Sequence, residues 1–238
     1  MNITIVGAGR AGSAFSLVLA RAGHRVTLVH HDDPIPLEDA QVVLLCVPDG
    51  EVAATSARLA PSVSRVVAHV AGSLTLAALA GHPRVASLHP LVPLPTGERG
   101  AARLVGATYC VAGDRAAADL VTSLGGRPIT LADDQRALYH ATAAVAANHL
   151  VALMAQVGDL AEAAGLDLDD FLPLARLALA DVAELGPTAA LTGPASRGDV
   201  ATIDAHLAAM PAAQRATYVA LARAAFDVAE RQRARTPA

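Results

Sequence analysis

The first twelve residues restrict this chain more than any other stretch. Ile3, Ile5 and Val6 form a short apolar run, the pattern of a strand buried on both faces of a parallel sheet. The run breaks at Gly7-Ala8-Gly9-Arg10-Ala11-Gly12, and a helical spacing follows at Ala14, Leu17, Val18 and Arg21. Strand, glycine turn and helix thus succeed one another with the glycines in the frame G-x-G-x-x-G. In that frame Gly7 permits the turn, Gly9 lets the backbone approach a pyrophosphate, and Gly12 lets the helix lie close to the strand. The free amides and positive dipole end of the helix's first turn then face an anion. Gly7, Ala8, Gly9, Arg10, Ala11 and Gly12 are therefore expected to form the phosphate bed of a dinucleotide.

A second strand, Arg25–Val29, ends at His30-His31-Asp32-Asp33. In dinucleotide folds the residue ending this strand meets the adenosine ribose. An acid there suits the free hydroxyl of NAD, and a cation suits the phosphate of NADP. His30 and His31 stand nearest the strand end, which favours NADP, with NAD as the alternative. Pro34 and Pro36 leave room only for a short crossover to a third strand, 42–47. Its end, Val47-Pro48, lies at the carboxyl edge, where such sheets bind ligands. A helix at 51–59 and strands at 65–70 and 85–88 follow. They lead into His69-Val70-Ala71-Gly72-Ser73 and His89-Pro90. A proline-rich loop, 91–100, and two further strands, 108–111 and 127–131, flank a helix at 115–124. The alternation predicts an α/β fold with a doubly wound, Rossmann-type parallel sheet.

After residue 131 the apolar period becomes helical. Helices are expected at 133–164, 169–185, 199–209 and 211–233, giving an all-α C-terminal domain. The domains are accordingly 1–131, binding dinucleotide, and 132–238, binding substrate and dimerising. The wide alanine-rich apolar faces of the second domain predict a homodimer.

Composition removes several chemistries. All eighteen basic side chains are Arg and there is no Lys, so lysine acids, Schiff bases and P-loop lysines are excluded. A net charge of −4 argues for neither nucleic acid nor a membrane surface. The most apolar stretch, 141–157, is interrupted by Asn148, His149 and Gln156 and reads as too short and polar to span a bilayer. Two cysteines in strand-like runs read as buried, reduced thiols of a cytoplasmic protein, and residues 1–12 carry a fold element rather than a signal peptide. No set of side chains points to a metal.

Hydride chemistry on such a fold needs a proton donor and a substrate anchor. Without Lys, histidine is favoured, its ordinary pKa being about 6.5. His69 and His89 follow strands at the ligand edge. His140, Ala144 and Asn148, four apart, would share one face of the long helix. The loop Thr192-Gly193-Pro194-Ala195-Ser196-Arg197 offers hydroxyls, and an arginine able to grip a carboxylate. Asp199 reads as the cap of the next helix.

The segments GAGRAG, VPD, AHVAGS, SLHPL, YHATAAVAANHLVAL and LTGPASRGD together resemble a family of oxidoreductases known from sequence. That family joins a Rossmann-like half to a helical C-terminal domain of unknown function. Wider relatives are the 6-phosphogluconate and 3-hydroxyacid dehydrogenases, pyrroline-carboxylate reductase and prephenate dehydrogenase. The resemblance implies NADP binding and a helical domain that closes the site and dimerises. Some members resemble ketopantoate reductase, so the expected reaction is hydride transfer from NADPH to a small 2-oxo acid, ketopantoate first. In the hydroxyacid dehydrogenases a Lys and an Asn four residues later face the substrate; Asn148 matches the Asn, whereas Ala144 stands at the Lys. Their Ser-Gly-Gly substrate loop corresponds to Ala71-Gly72-Ser73. The expected roles are His140 or His89 as proton donor, Asn148 orienting the carbonyl, and Arg197 holding the carboxylate. Gly72, Ser73, Thr192 and Ser196 would line the substrate, and Val47, Pro48 and His69 the cofactor. The alternative is a non-catalytic dinucleotide-binding sensor or scaffold.

Overall fold

A computed structural model describes residues 1–30 and 32–235. The strands are β1 (Asn2–Val6), β2 (Arg25–Val29), β3 (Val42–Leu45), β4 (Val66–His69), β5 (Val85–Pro90), β6 (Thr108–Gly113) and β7 (Arg127–Thr130). Among the described residues these form one sheet in the order β2-β1-β3-β4-β5-β6-β7. The helices of this region are α1 (Arg10–Arg21), α2 (Val52–Ala57), α3 (Glu98–Leu104), α4 (Ala116–Ser123) and α5 (Arg136–Ala144).

Strands β1 to β5 are parallel, as expected, but β6 runs antiparallel to β5, and β7 follows β6. The cause lies in the connection. Leu91 N–H bonds Thr108 O just after β5, so the chain re-enters the sheet at the edge it left. The intervening segment contains α3, unforeseen in the proline-rich loop. At seven residues it is about 10 Å long, too short to carry the chain across the sheet. Gly100 seats α3 on α1, for a Cβ there would lie 3.1 Å from the Cβ of Ala14.

Alternation along the strands separates two apolar layers. Ile3, Ile5, Leu44, Ala68, Leu88 and Tyr109 pack one face against α1, α3 and α4. Val6, Val43, Leu45 and Val67 pack the other against Val52 and Leu79. Helices on both faces make the sheet doubly wound.

By contacts the chain divides into two compact units, 1–147 and 148–238, not after residue 131. The period does become helical at 132. However, the start of α5 is fastened to the sheet: Arg136 is 1% exposed and bonded to Ser87, and Tyr139 bonds His89. A change of period marks a change of secondary structure, whereas a domain is defined by what packs together.

The helical run does not keep one period. α5 passes through a π-helical turn, Val145–His149, into α6 (Leu150–Ala163). Bonds of i→i+5 type interrupt the spacing of four, so the face shared by His140 and Ala144 does not continue as an α-helical face to Asn148. By length and composition Asp133–Ala163, a helical run of 31 residues holding an 18-residue window of mean hydropathy 1.3, is long and apolar enough to cross a membrane, contrary to the sequence expectation. Arg136, His140, Asn148 and Asp159 are groups that a bilayer would have to desolvate.

The second unit continues with α7 (Leu168–Leu185), α8 (Pro187–Ala190), α9 (Pro194–Arg197), α10 (Val200–Ala209) and α11 (Arg215–Arg235). Asp167 and Asp170 form a capping box at α7, and Asp199 caps α10 by accepting from Thr202 N–H at 3.1 Å. Pro211 opens a short 3-10 turn, so α11 starts later than its expected 211. Gln156 donates to Gln214 O at 2.9 Å, and Gln214 donates to Asp159 at 2.7 Å, joining α6 to the start of α11.

Candidate active site

The glycine turn after β1 has the geometry its spacing implies. Gly7 has φ +103°, and a Cβ there would stand 2.6 Å from Cys46 O on the neighbouring strand. A Cβ on Gly12 would stand 1.8 Å from Gly7 O, so only glycine lets α1 approach the turn. Above Gly9 the space is open, with no atom of the described residues within 4 Å of a Cβ. Gly9 caps α1 with no side chain over its first amides, and no acid lies in its first turn. Ala8, Arg10 and Ala11 complete an open, electropositive seat that fits a dinucleotide pyrophosphate.

The ribose end is less defined. His30 is exposed just past β2, its N–H bonded to Asp33 Oδ2 at 3.2 Å, so Asp33 closes this turn. His31, expected beside it, lies outside the described residues.

A cavity of about 280 Å³ opens at the carboxyl edge, lined among others by Ala11, Val47, Asp49, Gly72, His89 and His140. Pro48 is exposed beside it and turns the chain after β3 into a 3-10 turn that presents Asp49. Ser73 donates to Asp49 Oδ2 at 2.5 Å, tying the loop after β4 to the loop after β3. Gly72 lies under two histidines, for its Cβ would stand 2.8 Å from both His89 Nε2 and His140 Cδ2. The imidazoles meet edge to face with centroids 6.1 Å apart. Gly72, Ser73, His89 and His140 are therefore gathered at one place next to the phosphate bed.

His69 departs from expectation. It ends β4 but is fully buried, with Nε2 on Thr75 O at 3.3 Å and Nδ1 without a partner. Residue 69 shares the sheet face of His89 but pairs with Ser87, two residues deeper in the sheet, while Val70 and Ala71 line the cavity in its place. Burial, with the nearby Arg136 charge, pushes its pKa down to about 4. His89 is also pushed down to about 4, by burial first and then by His140 and Arg136. It is therefore neutral at neutral pH, which removes it as an imidazolium acid.

Sequence reasoning passed over Asp49, Arg136, Tyr139 and Cys110. Asp49 was legible as the last letter of VPD, and Tyr139 as the neighbour of His140. Nothing local marked Arg136, which looks like an ordinary exposed helix residue.

The remaining expected residues belong to the second unit. Asn148 is exposed in the π turn. Gly193 and Gly198, both at positive φ, bracket the single turn of α9. Ser196 donates to Gly193 O at 2.8 Å, which stabilises the loop itself, while Thr192 and Arg197 are exposed.

A family model described as Domain of unknown function (DUF2520) matches residues 107–225. No curated protein sequence matches the chain. Solved structures do. A candidate NADP oxidoreductase from Bacteroides fragilis is 22% identical with TM-score 0.76, over 95% of this chain and 98% of that one. Protein TM1727 from Thermotoga maritima is 20% identical with TM-score 0.76, over 97% and 99%. A reductive aminase from Aspergillus terreus, in complex with NADPH and ethyl levulinate, is 19% identical with TM-score 0.69, over 94% and 93%. These likenesses establish a Rossmann-like fold with a helical C-terminal region along almost the whole chain.

Proposed function

From the premise that the chain belongs to the DUF2520 family, we propose that it is an NADP-dependent reductase of a small molecule. One observation carries the reading: an open phosphate bed at residues 7–12 adjoins a cavity in which His89 and His140 converge over Gly72. The structural neighbours, among them NADPH-bound reductive aminase, support the same reaction class. NADPH supplies the hydride. His140 delivers the proton to the reacting heteroatom, His89 hydrogen-bonds that atom, and Ser73 is held at the cavity rim by Asp49. Asn148 orients the substrate, and Arg197, beside Thr192 and Ser196, grips a carboxylate.

The substrate class is a small 2-oxo acid, with ketopantoate the first compound to test. A carbon–nitrogen double bond is the second reading. Asp49 favours it, being a carboxylate in a cavity whose lining, among the described residues, includes no arginine. The exposed leucines of α7, Leu174, Leu177, Leu179 and Leu185, support assembly as a homodimer, and two buried free cysteines suit the cytoplasm. Steady-state NADPH oxidation with 2-oxo acids and cyclic imines tests the proposal, beside a calorimetric NADPH titration. Turnover is the expected result. Tight NADPH binding with no turnover across both panels would identify a dinucleotide-binding sensor or scaffold instead.

A further inference from the structure

Strand alternation places four polar side chains on the sheet face that α5 covers. His69 pairs with Ser87 between β4 and β5, His89 lies two residues beyond Ser87, and Cys110 of β6 pairs with His89. α5 meets this row with two side chains. Arg136 donates to Ser87 Oγ. The Tyr139 hydroxyl lies 2.8 Å from His89 Nδ1, with the Cys110 thiol beside it. The Tyr139 ring stands edge-on to the imidazole at 5.7 Å between centroids. Nδ1 is thus occupied inside the protein, while Nε2 points to the space that Gly72 leaves by lacking a Cβ.

We propose that Tyr139 is a positioning residue that holds His89 as its Nε2–H tautomer, so that this N–H donates to the reacting oxygen or nitrogen of the substrate. The proposal rests on the reductase reading above and assigns His89 its part in it. Proton bookkeeping supports this direction. Burial pushes both the Tyr139 hydroxyl and the Cys110 thiol up, so each keeps its proton. The groups around the imidazole are His140, Arg136, Asp49 and His69; after burial itself, His140, Arg136 and His69 oppose a second ring proton and Asp49 favours one. The ring therefore carries a single proton. If Tyr139 O–H donates to Nδ1, that proton sits on Nε2 and faces the cavity. The reverse arrangement would leave the hydroxyl proton only a thiol sulfur, a weak acceptor. It would also turn the Nε2 lone pair towards a substrate atom that is itself an acceptor. His89 then keeps its proton throughout: the hydride goes to carbon, and the heteroatom's proton comes from His140. A neutral N–H aimed at developing charge needs no proton transfer to be useful.

The test reads the ring directly. In protein labelled with nitrogen-15 at histidine, with His89 assigned by loss of its signals in His89→Gln, the wild type should show one neutral tautomer, Nε2–H, at neutral pH. Tyr139→Phe keeps the aromatic packing and removes the hydroxyl. It should show both tautomers and lose kcat by roughly tenfold to a hundredfold, with KM nearly unchanged, as when an orienting partner of a histidine is removed. An Nδ1–H ring in the wild type overturns the proposal, even if the variant does not fold. So does a folded Tyr139→Phe protein with unchanged tautomer and kcat. The tautomer is read without cofactor or substrate, so failure of the reductase reading shows separately, as absence of NADPH binding or of turnover.

Discussion

The two units solve the problem of apolar burial differently. The first, residues 1–147, encloses both of its apolar layers within itself: Ile5, Phe15, Leu44 and Leu88 are inaccessible to solvent. The second, residues 148–238, holds the three longest helices, α6, α7 and α11, but hardly any interior. No residue of α7 or α10 is buried, and Leu174, Leu177, Leu179 and Leu185 all stand exposed on α7. A sheet with helices on both faces closes its own core, whereas a few helices bury one stripe each and leave the opposite faces to be covered by something else. The site follows the same division. Cofactor bed, histidines and Tyr139 are held by packing in the first unit, while the polar residues of the second stand on exposed turns.

The contrast can be broken most severely at its tightest point. Gly12→Ala should destabilise the first unit by about 3 kcal/mol or more, because the new methyl has only backbone to displace. NADPH binding should disappear with it. Thermal unfolding and NADPH titration check this, and a stable, NADPH-binding variant would refute the close packing of turn and helix.

Asn148→Ala probes the second unit. It should lower kcat/KM by about a hundredfold, as loss of one oriented polar group does, while NADPH affinity and melting temperature hold. A destabilised but fully active variant would remove Asn148 from the active site.

Acid should act on the first unit. His69 and His89 are both pushed down to about 4 from 6.5 in the folded chain. Between those values the unfolded chain binds more protons, so the stability present above pH 6.5 is lost as pH falls towards 4. The loss is about 2 kcal/mol per ring by pH 5, and denaturant titrations at both pH values measure it. Equal stability would mean that both rings can be charged in place.

Leu177→Asp tests the exposed faces. Light scattering should show a dimer for the wild type at micromolar concentration and a monomer for the variant, the fold of the first unit being intact. A wild-type monomer would end the dimer proposal. The smallest effect concerns the ribose. NADPH should bind about tenfold more tightly than NADH if the imidazole of His30 meets the phosphate. Equal affinities would assign the ribose to Asp32 or Asp33.

What the sequence determined by itself was whatever a few consecutive residues can encode. The run at 3–6 specified a buried strand, and the spacing of Gly7, Gly9 and Gly12 specified turn, open seat and close packing, each found at its own residue. Alternating apolar runs specified the parallel strands β1 to β5, and Asp199 announced the helix it caps. Tertiary structure decided what depends on distant parts of the chain. The direction of β6 depended on where the segment after β5 re-entered the sheet, and the unit boundary on Arg136 reaching Ser87. A histidine at a strand end reaches the cavity or stays buried beneath it according to how far towards the carboxyl edge it stands: His69 pairs with Ser87, whereas His89 lies two residues further on. Tyr139 became part of the site only when α5 was laid on the sheet, for hydrogen-bond partners fifty residues apart leave no local pattern to read.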